Sequence, residues 1–195
     1  MPGLVSAVFS SAMSQNSSST GGIQGYPRVI ELFEKEGYPF ASTLISADPP
    51  EHTRYRTLVN RAFTAGRVRK MQDYIQQIVD ELIDDFIERG EVEFVEEFAI
   101  KLPIYIIADQ LGVSRKDAKK FKAWSDAAVP LGLDIGEDAE LERAKLVVEF
   151  QKYFVERIAE VRENPRDDII SDLVNARVDG ERPLDTPELL SIIQQ

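Results

Sequence analysis

The sequence predicts a mainly α-helical fold. Two long stretches, 67–89 and 138–163, carry apolar residues at helical spacing. Residues that start and stop helices punctuate the chain at short intervals, and one brief run, 91–94, alternates apolar with acidic residues as a strand would. At 195 residues with 43% hydrophobic content, the chain has the length of one large domain or two small ones and enough apolar mass for a core.

Ser10 to Gly22 is small, polar and glycine-containing, and reads as a loop. Val29, Ile30, Leu32 and Phe33 suit a short helix ended by Gly37 and Pro39. In Asp48-Pro49-Pro50-Glu51 the first aspartate can cap, proline is tolerated in a first turn, and Glu51 completes a capping-box spacing, so a helix should run to about Phe63. Met71, Ile75, Ile78, Val79, Leu82, Ile83 and Phe86 form one stripe from Arg67 to Arg89, with Gly90 placed to stop it.

Val92 and Phe94 between Glu91 and Glu93 predict a short strand. Leu102 to Leu111 is apolar nearly all round and should be buried on most sides. Ser114 begins another helix through Phe121 and Trp124, closed by Pro130. After a loop to Glu137, a long helix to about Glu163 turns Leu141, Ala144, Val147, Val148, Phe154, Ile158 and Val161 inward. Asn164-Pro165 breaks it, and a short helix around Ile169 to Ala176 and an Asp179-Gly180 turn follow. Thr186 reads as a final N-cap with Pro187 behind it. Leu189, Leu190, Ile192 and Ile193 then open an apolar run that has a start signal and no stop signal before Gln195. That pattern reads as a helix cut short, whose exposed face would favour aggregation; the alternative is a helix packed back on the bundle.

Composition narrows the chemistry. There are 34 acidic and 23 basic residues, one histidine and no cysteine. These numbers exclude disulfides, a thiolate zinc site, a cysteine nucleophile, a multi-histidine metal cage and any cysteine-ligated haem within this polypeptide. The net charge of −11 argues against nucleic acid as a partner. No run approaches the ~18 apolar residues of a membrane span, and the first residues lack the basic leader of a signal peptide, so the reading is cytoplasmic with no membrane partner. Paired acids such as Asp84-Asp85 and Glu96-Glu97 read as solvated, and phosphate loops, nucleophile elbows and EF-hand registers are missing.

One helix stands apart. With ~100° per residue and His52 at zero, Arg56, Val59 and Phe63 share its face, whereas Arg54 and Arg61 fall on the opposite side. An arginine cannot shed its charge, so Arg56 on an inward face needs an anion, either a carboxylate of the chain or an acidic group of a bound cofactor. Spacing alone leaves both open.

The run DPPEHTRYRTLVNRAF followed by TAGRV resembles the C-helix segment of soluble bacterial cytochrome P450 monooxygenases, whose usual form is Asp-Pro-Pro-x-His-x-x-x-Arg followed by Phe-Thr and a basic turn. The resemblance extends through Phe9-Ser10-Ser11 ahead of the B–C loop, Gly112-Val113 at the end of the E helix, Trp124-Ser125-Asp126 in the F helix and Asp168 to Val174 in the H helix. It implies a partial P450 fold: B–C region 1–47, C helix 48–66, D helix 67–90, short strand and E helix 91–112, F helix and F–G loop 113–137, G helix 138–164, and H helix, turn and I-helix start 165–195. It also implies that His52 and Arg56 hold the propionates of a b-type haem whose cysteine ligand lies outside this chain. By the same resemblance Phe40, Leu44, Ile45, Val129, Leu131 and Leu133 line or cover a pocket for a small apolar substrate. Arg54, Arg61, Arg67 and Lys70 would face an acidic ferredoxin or flavodoxin. The implied activity is insertion of one atom of dioxygen into the substrate, although the family's oxygen-activating and cysteine motifs are not in this sequence. The competing reading is a non-catalytic helical interaction module or a degenerate homologue without haem.

Overall fold

A computed structural model describes residues 26–62, 64–129, 135–178 and 182–195, and nothing is said of the side chains of Arg61 and Ala62. Phe9 to Ser11, the Ser10 to Gly22 loop, Leu131, Leu133 and the expected Asp179-Gly180 turn lie outside the described residues.

Helices α1 (Pro27–Glu36), α2 (Glu51–Ala62), α3 (Ala65–Lys70) and α4 (Gln72–Ile87) come first. The stripe from Arg67 to Arg89 is therefore two helices meeting at Met71, and only Ile78 and Leu82 of α4 are fully buried. A π-helical turn, Val95–Ala99, leads into α5 (Lys101–Gln110). The predicted strand at Val92 and Phe94 is not there. The Glu93 carboxylate accepts from the amide of Glu96 at 2.6 Å and so starts a helical turn, and Phe94 stacks on Phe98 at 5.1 Å, one turn on. Local capping outweighs a two-residue alternation.

Burial of α5 also falls short of expectation. Ala108 is its one fully buried residue and Ile107 is 37% exposed. Arg115 fastens this layer, lying over the rings of Tyr74 and Tyr105 at 5.9 and 5.6 Å and pairing with Glu81 at 2.9 Å.

A 3₁₀ turn (Arg115–Asp117), capped by the Ser114 hydroxyl, precedes α6 (Ala118–Ala128), and the long α7 (Glu137–Glu163) follows. Then come α8 (Ile169–Asn175), the two-residue strands β1 (Arg177–Val178) and β2 (Arg182–Pro183), paired antiparallel, and α9 (Thr186–Gln194). The cap of α9 is Asp185 rather than Thr186. Its carboxylate accepts from the amide of Glu188 while Glu188 reaches back to the amide of Asp185, a full capping box.

Helix α7 is the axis of the fold. Phe150, Phe154, Ile158 and Val161 meet Trp124 of α6, Leu111, Ile169 and Ile170 in the larger core, and Ala144, Val147 and Val148 meet Val29 and Phe33 of α1 in a smaller one. The apolar face of α9 is docked on the larger core rather than exposed: Leu189 is 0%, Leu190 2% and Ile192 7% exposed. The expected aggregation surface is thus covered by the chain's own helices. Among the described residues, no helix is long and apolar enough to cross a membrane.

Candidate haem-carboxylate and pocket site

Helix α2 meets the core through Tyr55 and Leu58, which are 8% and 5% exposed, with Val59 half-buried beside them. This face lies about a quarter-turn from the one expected. His52 is half-buried and Arg56 exposed, so the inward burial expected of the pair is corrected. The reason lies in Tyr55, whose hydroxyl donates to the Glu188 carboxylate at 2.6 Å and so draws its own side of the helix onto α9.

Glu188 is the centre of that tie. Arg182 grips both of its oxygens at 2.8 Å, and this ion pair, assisted by Tyr55, lowers the carboxyl from its ordinary 4.5 to about 2 despite burial. Burial first, and then the bond to Glu188, push the Tyr55 phenol up to about 12.

The face of α2 bearing Arg56, Val59 and Asn60 instead borders a cavity of about 360 Å³, walled by Leu44, Ile107, Leu111, Ile169, Leu173, Ile192, Ile193 and Gln195. The lining residues are apolar except for Arg56, Asn60 and Gln195. Among the described residues, neither the His52 nor the Arg56 side chain has a hydrogen bond or ion pair, so no described carboxylate satisfies Arg56. Such a donor set, a cation with apolar walls behind it, suits an amphipathic ligand bearing carboxylates.

The other expected residues scatter. Leu44 is on the cavity wall, and Ile45, 86% exposed, is its neighbour in the chain. Phe40 does not line the cavity; it packs on Phe33 at 5.4 Å in the smaller core. Val129 is 57% exposed at the end of α6. Of the four cations, Lys70 is exposed and Arg54 is half-buried. Arg67 is engaged by Asp172 and, at 2.8 Å, by Asp167, so it fastens α3 to the start of α8 instead of standing open to a partner. Asn60 escaped the sequence reading although it lies one helical turn beyond Arg56, a spacing that could have revealed it. Gln195 carried no local signal.

Solved structures define the class of fold. The chain superimposes on a Bacillus subtilis cytochrome P450, CYP109B1, with a TM-score of 0.66 at 39% identity, covering 78% of this chain and 42% of that one. It superimposes equally on CYP109E1 from Bacillus megaterium, solved in complex with corticosterone, with a TM-score of 0.66 at 34% identity over 79% of this chain and 41% of that one. Among curated relatives, cytochrome P450 107B1 of Saccharopolyspora erythraea is 37% identical over 150 residues, which is 77% of this chain and 35% of the relative. The 6-deoxyerythronolide B hydroxylase of the same species is 33% identical over 174 residues, 86% of this chain and 42% of the relative. No family model matches. The chain belongs to the bacterial cytochrome P450 family, and it spans about two-fifths of the length of the curated relatives it matches.

Proposed function

We propose that this chain is the part of a haem-dependent monooxygenase that holds the haem carboxylates and forms one side of the substrate cavity. The observation that carries the proposal is Arg56, without a carboxylate partner among the described residues and set in the wall of an apolar cavity. Arg56 would take one propionate in a charge-assisted bond, with His52 one turn earlier as second donor, and the apolar side chains would exclude water from the macrocycle. When bound and ligated by a thiolate from outside this chain, haem supplies activation of dioxygen.

The substrate class is a small apolar molecule, met by Leu44 on the cavity wall. Relatives are named as a 6-deoxyerythronolide B hydroxylase and a steroid C26-monooxygenase. An acidic ferredoxin or flavodoxin would approach Lys70 together with Arg54 and Arg61, without Arg67. A cytoplasmic location belongs to the same reading.

Haem titrated into the chain, followed by quenching of its single tryptophan, tests the proposal. Arg56→Ala should weaken binding roughly tenfold, the loss of one charge-assisted bond, and Arg54→Ala should stay within about threefold. Equal affinities in the two variants overturn it. A non-catalytic helical module is the second reading. It is favoured by the docking of α9 on the chain's own core, and it predicts no saturable haem binding at all.

A further inference from the structure

The segment from Gly37 to Ala47, between α1 and α2, contributes Leu44 to the cavity wall and is fastened to the body of the protein by side chains. Gln151 of α7 holds its start, accepting from the Tyr38 amide at 2.9 Å and donating to the Tyr38 carbonyl at 3.1 Å. On α9, the Ser191 hydroxyl accepts from the Ala41 amide at 2.9 Å. One turn later the Gln195 amide accepts from the Ile45 amide at 3.0 Å and donates to the Thr43 hydroxyl at 3.0 Å. Gln151, Thr43 and Ser191 are 1%, 0% and 5% exposed, so the bonds at Tyr38, Ala41 and Thr43 are shielded from water, whereas the Ile45–Gln195 bond lies at the surface.

The spacing matters. Ser191 and Gln195 are four apart on one helix face, and the amides they hold are also four apart, at Ala41 and Ile45. Two fixed points leave the strap one register, with Thr43 buried, Leu44 on the cavity wall and Ile45 outside it. A slip of one residue would exchange Leu44 for Thr43 or Ile45 and change both the polarity and the width of the wall.

We propose that Ser191 and Gln195 are positioning residues that set this register and thereby the specificity of the cavity for small apolar ligands. This rests on the reading of the cavity as a substrate site. Neither residue touches a reacting group; both act through the strap.

The test uses the 195-residue chain, with amide hydrogen exchange at Ala41 and Ile45 and binding of the neutral apolar fluorophore N-phenylnaphthylamine. Gln195→Ala should speed exchange of the Ile45 amide about tenfold, as expected for loss of one hydrogen bond, and weaken fluorophore binding several-fold. Gln195→Glu keeps the acceptor for the Ile45 amide and replaces the donor to Thr43 with an oxygen to which the Thr43 hydroxyl can itself donate, so it should restore both. Ser191→Ala should do the same at Ala41, with circular dichroism confirming the fold. Exchange unchanged in Gln195→Ala overturns the proposal, as does faster exchange with unaltered fluorophore affinity, or failure of Gln195→Glu to rescue. Because the fluorophore is uncharged, its binding does not depend on Arg56, so failure here is distinct from failure of the haem-carboxylate reading.

Discussion

Two arginines on different helices meet opposite fates. Arg157 of α7 is 8% exposed, pairs with Glu160 at 2.7 Å and with Asp168 at 3.3 Å, and lies against Gly112; its Nε–H is buried without a partner among the described residues. Arg56 of α2 stands at the wall of an apolar cavity with no carboxylate of the described chain near enough to pair. The first is paired within the fold through its two terminal nitrogens and works as architecture, joining α7 to the start of α8. The second has no internal partner among the described residues, and under the proposed function it is the one that meets a ligand. A buried charge supplied with internal partners stabilises only in its complete arrangement, whereas a charge held open beside apolar surface costs little until a ligand arrives.

That contrast predicts a gradient of effects. The largest belongs to the architectural side. Phe154, 0% exposed and packed on Phe150 at 4.7 Å, should cost about 3–5 kcal/mol when replaced by alanine, read from denaturant midpoints. Gly112→Ala comes next. Gly112 adopts φ +64°, and an added Cβ would stand 2.2 Å from the Arg157 guanidinium, so the substitution must strain the backbone and displace the ion pair. A loss of about 2–3 kcal/mol is expected, and stability within about 0.5 kcal/mol of wild type would break the claim that Arg157 is locked in place.

A smaller effect depends on pH. The folded Glu188 carboxyl is held at about 2, below its unfolded value of 4.5, mainly by Arg182. Its contribution is therefore complete above pH 4.5 and is lost as pH falls toward about 2. Acid titration of stability should show a steeper decline in the wild type than in Glu188→Gln across that window. Parallel curves would remove Glu188 from the account. Smallest of all is the expected stability effect of Arg56→Ala, within about 0.5 kcal/mol, although under the proposed function the same change should weaken haem binding. That split between stability and binding is the sharpest form of the comparison.

Much of the architecture is legible along the chain because helix stripes and caps are local. The predicted inward stripe of α7, Ala144 through Val161, is the buried one, and the stops at Gly37, Gly112 and Asn164 fall at helix ends. Where local signals compete, the sequence reading fails. Glu93 caps a helical turn inside an apparent strand, and Asp185 takes the cap assigned to Thr186. The site was half legible. The motif singled out His52 and Arg56, and helical spacing placed Arg56 and Val59 on one face.

What that face meets was decided elsewhere. Tyr55 finds Glu188 from 133 residues away, turning α2 so that Arg56 borders a cavity instead of entering the core. Arg67 finds Asp167 and Asp172 across about a hundred residues and leaves the surface expected for a partner. By itself the sequence determined which segments are helices, which faces are apolar and which family the motif resembles, since those follow from neighbours within a turn. Tertiary structure alone decided which charges are spent on one another and which stay open, because pairing energy depends on distance in space and on burial, and neither is encoded in any one turn of helix.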